Sequence, residues 1–161
     1  MRSGVELPWS NHGRPVSNGP KKLIERMAGR VDAAVRLRAR LPRPLRAVPV
    51  TFPVVGRRSV GYLVDLVITR DVWMHRVDIA RAIGRPPSLT AEHDGRIVAD
   101  LVAEWTRLHT DPFTLQLHGP AGGYYSARGG AAPVNLDAVE FVRILSGREA
   151  GDGVLLHKLP L

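Results

Sequence analysis

The sequence predicts an α+β fold, mainly α, with a helical part followed by a small C-terminal α+β part that contains a β-hairpin. Three observations carry this. Apolar residues recur three and four apart over Pro20–Leu41, Ser59–Ile83 and Thr90–His109, the spacing of helices with one buried face. At Phe113 the period changes to two: Phe113, Leu115 and Leu117 alternate with Thr114, Gln116 and His118, as in a half-buried strand. Proline and glycine stand where the patterns break, at Pro42, Gly84, Pro86, Gly119 and Gly147.

Taken in order, residues 1–18 mix Gly, Pro, Ser and Asn without periodicity and read as a flexible arm. The first helix, Pro20 to Leu41, repeats Leu23, Ile24, Met27, Val31, Ala34 and Val35 on one side, and Pro42 ends it. A proline-studded connection runs from Pro42 to Pro53. Ser59 is the expected N-cap of the second helix, which stops at Gly84. Thr90 caps the third, with Glu92 and Asp94 in its first turn and Ile97, Val98, Leu101, Val102, Trp105 and Leu108 on its buried face. The Gly-Pro-Ala-Gly-Gly run at 119–123 links the strand to Tyr124–Arg128 in a hairpin. Asp137 and Glu140 form a capping-box pattern for a last helix that buries Ala138, Phe141, Val142 and Leu145. Three parts are therefore expected: an arm at 1–18, a helical bundle part at 19–110, and a small α+β part at 111–161.

Composition narrows the function classes. The chain has 161 residues, 44% of them hydrophobic, enough to bury one core. No run of about eighteen apolar residues is present, and the N-terminus lacks the charged-then-apolar order of a signal peptide, so a cytoplasmic protein without membrane partners is expected. The absence of cysteine excludes disulfides, thiolate ligands and a protein thiol nucleophile. Any sulfur chemistry requires a bound small thiol. The net charge of +8 comes largely from Arg26, Arg30, Arg36, Arg38, Arg40, Arg43 and Arg46 and others like them. Such a run suits nucleic-acid backbones, but no aromatic residues interleave with it and no helix-turn-helix or zinc-finger spacing accompanies it. A solvated helix face, or attraction of a small anionic cofactor or substrate, explains it without specific nucleic-acid binding.

The stretch Thr69-Arg-Asp-Val-Trp-Met-His-Arg-Val-Asp78 concentrates the chemistry. Asp71 and His75 lie one helical turn apart, so a carboxylate oxygen and an imidazole nitrogen can converge on one metal ion. Asp78 falls on the same strip, beside Val64, Val67, Ile68 and Ala82. An i,i+4 hydrogen bond between Asp71 and His75 satisfies the same spacing without metal. Two ligands alone do not make a tight zinc site.

The run Tyr62-Leu-Val-Asp-Leu-Val-Ile-Thr-Arg-Asp-Val-Trp-Met-His-Arg-Val-Asp-Ile79, with Leu89-Thr-Ala-Glu-His-Asp-Gly-Arg-Ile-Val-Ala-Asp-Leu101, resembles the maleylpyruvate isomerase-like, mycothiol-dependent enzymes, which have a DinB-like metal-binding bundle. Leu117–Gly123 and Leu136–Arg148 are similar to that family's short C-terminal part, so the likeness covers most of the chain from Tyr62 onward. The resemblance implies a divalent ion, usually zinc, and mycothiol as cofactors, with a small organic substrate. It implies Asp71 and His75 as metal ligands at the positions of the family's Glu-x-x-x-His pair, with Asp71 one methylene shorter. It also implies a partial DinB-like bundle here: the family's first two helices, which supply a further His ligand, are expected to be lacking, leaving an apolar face that drives self-association. His12, in a loop-like stretch, is a weak substitute for that ligand. Arg148 matches an arginine associated with the thiol-dependent site, although a cation at a helix end has its own electrostatic reason to be there.

The remaining candidates have simpler explanations. Glu92, His93 and Asp94 suggest acid–base chemistry, but acidic residues in a first turn already serve capping. His109 and His118 are lone imidazoles at element ends and read as surface residues. The glycines at 119–123 do not open a helix, as a phosphate cradle requires. What the resemblance implies, a metal-dependent, thiol-using isomerase or thiol-transferase, is the leading expectation, with a non-catalytic remnant or interaction module as the alternative and a basic nucleic-acid binder behind both.

Overall fold

Helix α1 (Pro20–Arg40) opens on a proline, whose fixed φ and missing N–H suit a first turn, and ends where Leu41 turns extended before Pro42. The computed structural model describes residues 19–52, 56–130 and 132–159. The chain divides into two units, Met1–Leu41 and Pro42–Leu161. In the first, Ile24, Met27, Val31 and Val35 make one apolar stripe along α1, and all four are exposed.

The second unit begins with structure in the stretch whose prolines suggest a plain connection. A short helix α2 (Arg43–Ala47) is followed by an antiparallel ribbon of β1 (Pro49–Phe52) and β2 (Gly56–Ser59), running in register from Pro49 opposite Ser59 to Phe52 opposite Gly56. The prolines are compatible with this because Pro44 lies in the first turn of α2 and Pro49 is the first strand residue, positions where the missing N–H costs little.

Ser59 then caps the next helix, its hydroxyl accepting the Tyr62 N–H at 3.1 Å. This helix has three segments: α3 (Val60–Tyr62), a π-helical turn at Leu63–Val67, and α4 (Ile68–Ala82). In the π turn the Ile68 N–H reaches back five residues to the Leu63 carbonyl. The extra residue turns later side chains by about 100° relative to an uninterrupted α-helix, so faces drawn at 3.6 spacing from Ser59 do not carry through. The buried face of α4 is Arg70, Trp73, Met74 and Val77. Gly84, at φ +66, ends the helix with the Arg85 N–H returning to the Ala80 carbonyl.

The following helix repeats the device. Thr90 caps a π turn at Ala91–Gly95 that leads into α5 (Arg96–Leu108), its hydroxyl accepting the His93 N–H. The Asp94 carboxylate reaches back to accept the Thr90 N–H at 2.6 Å, a reciprocal cap lengthened by one residue. The same carboxylate accepts the Trp73 indole N–H at 2.7 Å and pairs with Arg76, so it fastens α4 to the start of α5. A second, partly buried link joins these helices: Glu104 accepts from both the Tyr62 hydroxyl and the Arg70 guanidinium, which also donates to the Asp100 carbonyl at 3.2 Å.

The C-terminal sheet has three strands in the order β4–β3–β5. Central β3 (Phe113–His118) pairs antiparallel with β4 (Gly123–Ala127) and parallel with β5 (Pro133–Asp137). The turn between β3 and β4 needs its glycines: Gly119 sits at φ +88, and a Cβ on Gly122 would fall 2.1 Å from the Leu117 carbonyl oxygen. Asp137 ends β5 and caps α6 (Ala138–Leu145), accepting the Val139 N–H at 2.7 Å and the Glu140 N–H at 3.4 Å. After a 3₁₀ turn at Gly153–Leu156 the chain returns to α6, where the Leu159 N–H bonds the Leu145 carbonyl.

Residues on both sides of Thr110–Pro112 fill one core. Trp73, Met74 and Val77 from α4, Val98, Leu101 and Trp105 from α5, Phe113 and Leu115 from β3, and Phe141 and Leu145 from α6 are all buried in it. Trp105 is its centre, with ring centroids 4.9 Å from Phe113 and 5.5 Å, edge-on, from Phe141. Leu108, expected on the buried face, is 49% exposed because α5 ends there. The fold is α+β and mainly helical, with a β-hairpin in its C-terminal part. Among the described residues, no helix is long and apolar enough to cross a membrane.

Candidate metal centre

Asp71 and His75 come together on α4 as their spacing requires: His75 Nε2 lies 3.4 Å from Asp71 Oδ1. Both are substantially exposed, at 48% and 63% of their side chains. They sit opposite the buried face, at the edge of an apolar stripe of Ile68, Val72 and Ile79, each also exposed. The donor types fit a divalent ion, but the number does not. Among the described residues no third His or carboxylate joins the pair to make a ligand group. His12 lies outside the described residues.

Asp78, on the same strip, has a different occupation. It accepts from Arg148 Nε at 2.9 Å and from Arg143 at 3.3 Å, and Arg143 also reaches Glu149 at 2.9 Å. Glu149 raises the Arg143 pKa, with Glu140 and Asp78 adding to this against the cost of burial. The result is a charged clasp between α4 and the end of α6. Arg148, which the family likeness places at the thiol site, is held in that clasp, following Gly147 at φ +77.

A different group collects where α5 meets the C-terminal segment. His109 is the residue that ends α5, Asp111 lies in the connection to β3, and His157 follows the 3₁₀ turn. Ligand atoms from all three lie within 4.8 Å of one another. His157 Nε2 is 2.7 Å from Asp111 Oδ2, and the rings of His109 and His157 are stacked with centroids 4.6 Å apart. This group could hold a metal ion. His109 is not the surface residue that its place at an element end suggests: it is only 6% exposed, tucked against Trp105 at 4.3 Å between ring centroids. Neither of its ring nitrogens has a hydrogen-bond partner among the described residues. An unpaired buried polar group costs about 1–3 kcal/mol. Burial lowers the His109 pKa, and the neighbouring His157 and Arg128 lower it further against the pull of Asp111. Its imidazole is therefore neutral, with a lone pair free to ligate. Asp111 has its pKa lowered, chiefly by the hydrogen bond from His157.

The sequence held one local sign of this group, the His-Thr-Asp run at 109–111, but nothing marked His157. Of the other candidates, Asp94 is the buried cap of α5, where burial raises its pKa but is outweighed by the Thr90 N–H, the Trp73 indole and Arg76, leaving it lowered. Glu92, His93 and His118 are exposed, as are Arg26, Arg30, Arg36 and Arg40 along α1. Arg46 pairs with Asp65. No family model, no curated protein and no solved structure matches this chain.

Proposed function

We propose that this chain is a metal-dependent, mycothiol-dependent protein of the maleylpyruvate isomerase-like kind, with Asp71 and His75 as its ion-holding pair and a small organic acid as substrate. The observation that carries the reading is the meeting of a carboxylate and an imidazole on an exposed, otherwise apolar helix face. Polar donors set among uncovered apolar residues are the composition of a ligand pocket wall rather than of an ordinary solvated surface. The lack of cysteine agrees with sulfur supplied by a bound thiol. A divalent ion there would lower the pKa of that thiol towards neutrality. Because the pair supplies two of the three or four ligands that zinc takes, a further ligand has to come from an element that covers Ile68, Val72 and Ile79.

A second reading follows from the same stripe. With Ile68, Val72 and Ile79 all exposed, α4 suits an interaction module whose partner, another copy included, covers that face.

Zinc and mycothiol titrated into tag-free protein separate the two. In the enzyme reading, thiolate absorbance rises with zinc, cis-trans isomerisation of maleylpyruvate is accelerated, and His75→Ala abolishes both. Zinc-dependent thiolate formation that survives His75→Ala would remove the pair from the site. No thiolate at any zinc concentration would leave the interaction module.

A further inference from the structure

The group at the end of α5 has the makings of a second site, independent of the α4 pair. Its members come from three separate segments: His109 from the end of α5, Asp111 from the approach to β3, and His157 from the stretch after the 3₁₀ turn. The backbone at His157 is fixed, since its carbonyl accepts the Trp105 indole N–H at 2.8 Å. Its ring is partly open to solvent, with 40% of the side chain exposed. His109 is the reverse, a buried imidazole whose two nitrogens have no hydrogen-bond partner among the described residues. A fold seldom buries such a group without giving it a bond to make.

We propose that His109, Asp111 and His157 form a divalent transition-metal site of the zinc class that fastens the C-terminal segment to the end of α5. Two imidazoles and one carboxylate are donors that zinc and its neighbours accept, and three protein ligands leave one position for water or a small anion. The rings now stack with 7° between their planes, so their in-plane lone pairs run side by side. Convergence on one ion would turn the half-buried His157 ring and exchange its contact with Asp111 Oδ2 for the metal. Arg128 is the nearby opposing charge. It donates to the Thr106 carbonyl at 2.6 Å, which holds its guanidinium on the backbone of α5, and the Asp111 carboxylate offsets it.

The test is zinc competition against a chromophoric chelator, using the full chain made without a histidine tag. His109→Ala alone is a poor probe because the ring packs on Trp105. The exposed ligands provide the decisive variants: Asp111→Asn and His157→Gln should each weaken zinc binding by about tenfold or more, while His118→Ala, at an exposed imidazole outside both groups, should leave this binding unchanged. Hydrogen exchange adds a second readout, with zinc slowing exchange over residues 153–159 in the parent protein and not in His157→Gln. Equal zinc affinity in the parent, Asp111→Asn and His157→Gln would overturn the proposal. So would loss of the only zinc binding in His75→Ala, an outcome that would favour the α4 pair instead.

Discussion

Asp71–His75 and His109–Asp111–His157 are both imidazole–carboxylate groups, yet they are built in opposite ways. The first lies on a single helix with its members one turn apart, and the pair stands in solvent at 48% and 63% side-chain exposure. The second joins residues as far apart in sequence as Asp111 and His157 around a buried imidazole. A local pair depends on nothing but its own helix and can wait for a partner to complete it. A group assembled from three segments exists only when the core beneath it has formed. The contrast teaches where each is vulnerable: the first to loss of a covering element, the second to damage in the packing around Trp105.

The strongest way to break that contrast is through Trp105. Trp105→Ala removes the core's central ring and the indole bond to the His157 carbonyl, and should cost about 3–5 kcal/mol in urea unfolding. A loss below about 1 kcal/mol would mean that the three-segment group does not depend on this core.

Next in size is Asp94, the buried carboxylate behind α4. Asp94→Ala leaves the Trp73 and Thr90 donors unpaired and should cost about 2 kcal/mol. The folded pKa of Asp94 lies below the ordinary aspartate value of 3.8, so its contribution is complete above that value and is lost as pH falls through the folded pKa. Asp94→Asn should accordingly show a shallower loss of stability in acid than the parent. An unchanged acid limb would show that other carboxylates govern it.

His109 sharpens the comparison at milder pH. Its folded pKa is depressed below 6.5, so between the two values the unfolded chain binds more protons and stability rises with pH. The urea midpoint of the metal-free parent should therefore fall as pH drops below about 6.5. His109→Leu should flatten that fall, while Asp111, His157 and Arg128 still face the position. Parallel profiles for the two proteins would place the protonation elsewhere.

The smallest effects belong to the exposed pair. Asp71→Asn and His75→Ala should each move the metal-free unfolding free energy by less than about 0.5 kcal/mol. A loss above about 1 kcal/mol in either would show that this face is covered in solution.

How far the sequence spoke followed the range of the interaction concerned. The caps at Ser59, Thr90 and Asp137, and the Asp71–His75 approach, depend on residues within four positions, and each was legible before the fold was known. The π turns at Leu63–Val67 and Ala91–Gly95 were not, because a 3.6-residue period has no room for an inserted residue. The β1–β2 ribbon was hidden by prolines that occupy tolerated positions. Strand β5 shows period-two burial, with Val134 and Leu136 partly covered, but it is only five residues long and its partner lies beyond the hairpin. The buried state of His109 followed from the aromatic cluster that closes over it, and no local pattern encodes that. The clasp of Arg148 with Asp78 likewise spans α4 and the end of α6.

The parallel pairing of β3 with β5 has a consequence for the time course of folding. The contacts of α4 with its own π turn, and of β3 with β4 across a tight hairpin, close short loops and form early. Thr114 pairs with Pro133 across all the chain that makes the hairpin. That longer closure spends chain entropy before any bond repays it. Asp137, the last residue of β5, is also the cap of α6, so the docking of one strand sets the moment at which the final helix, and the clasp and histidine group beyond it, can lock. Substitutions in β5 should slow refolding, whereas substitutions at the exposed α4 face should leave the folding rate as it is.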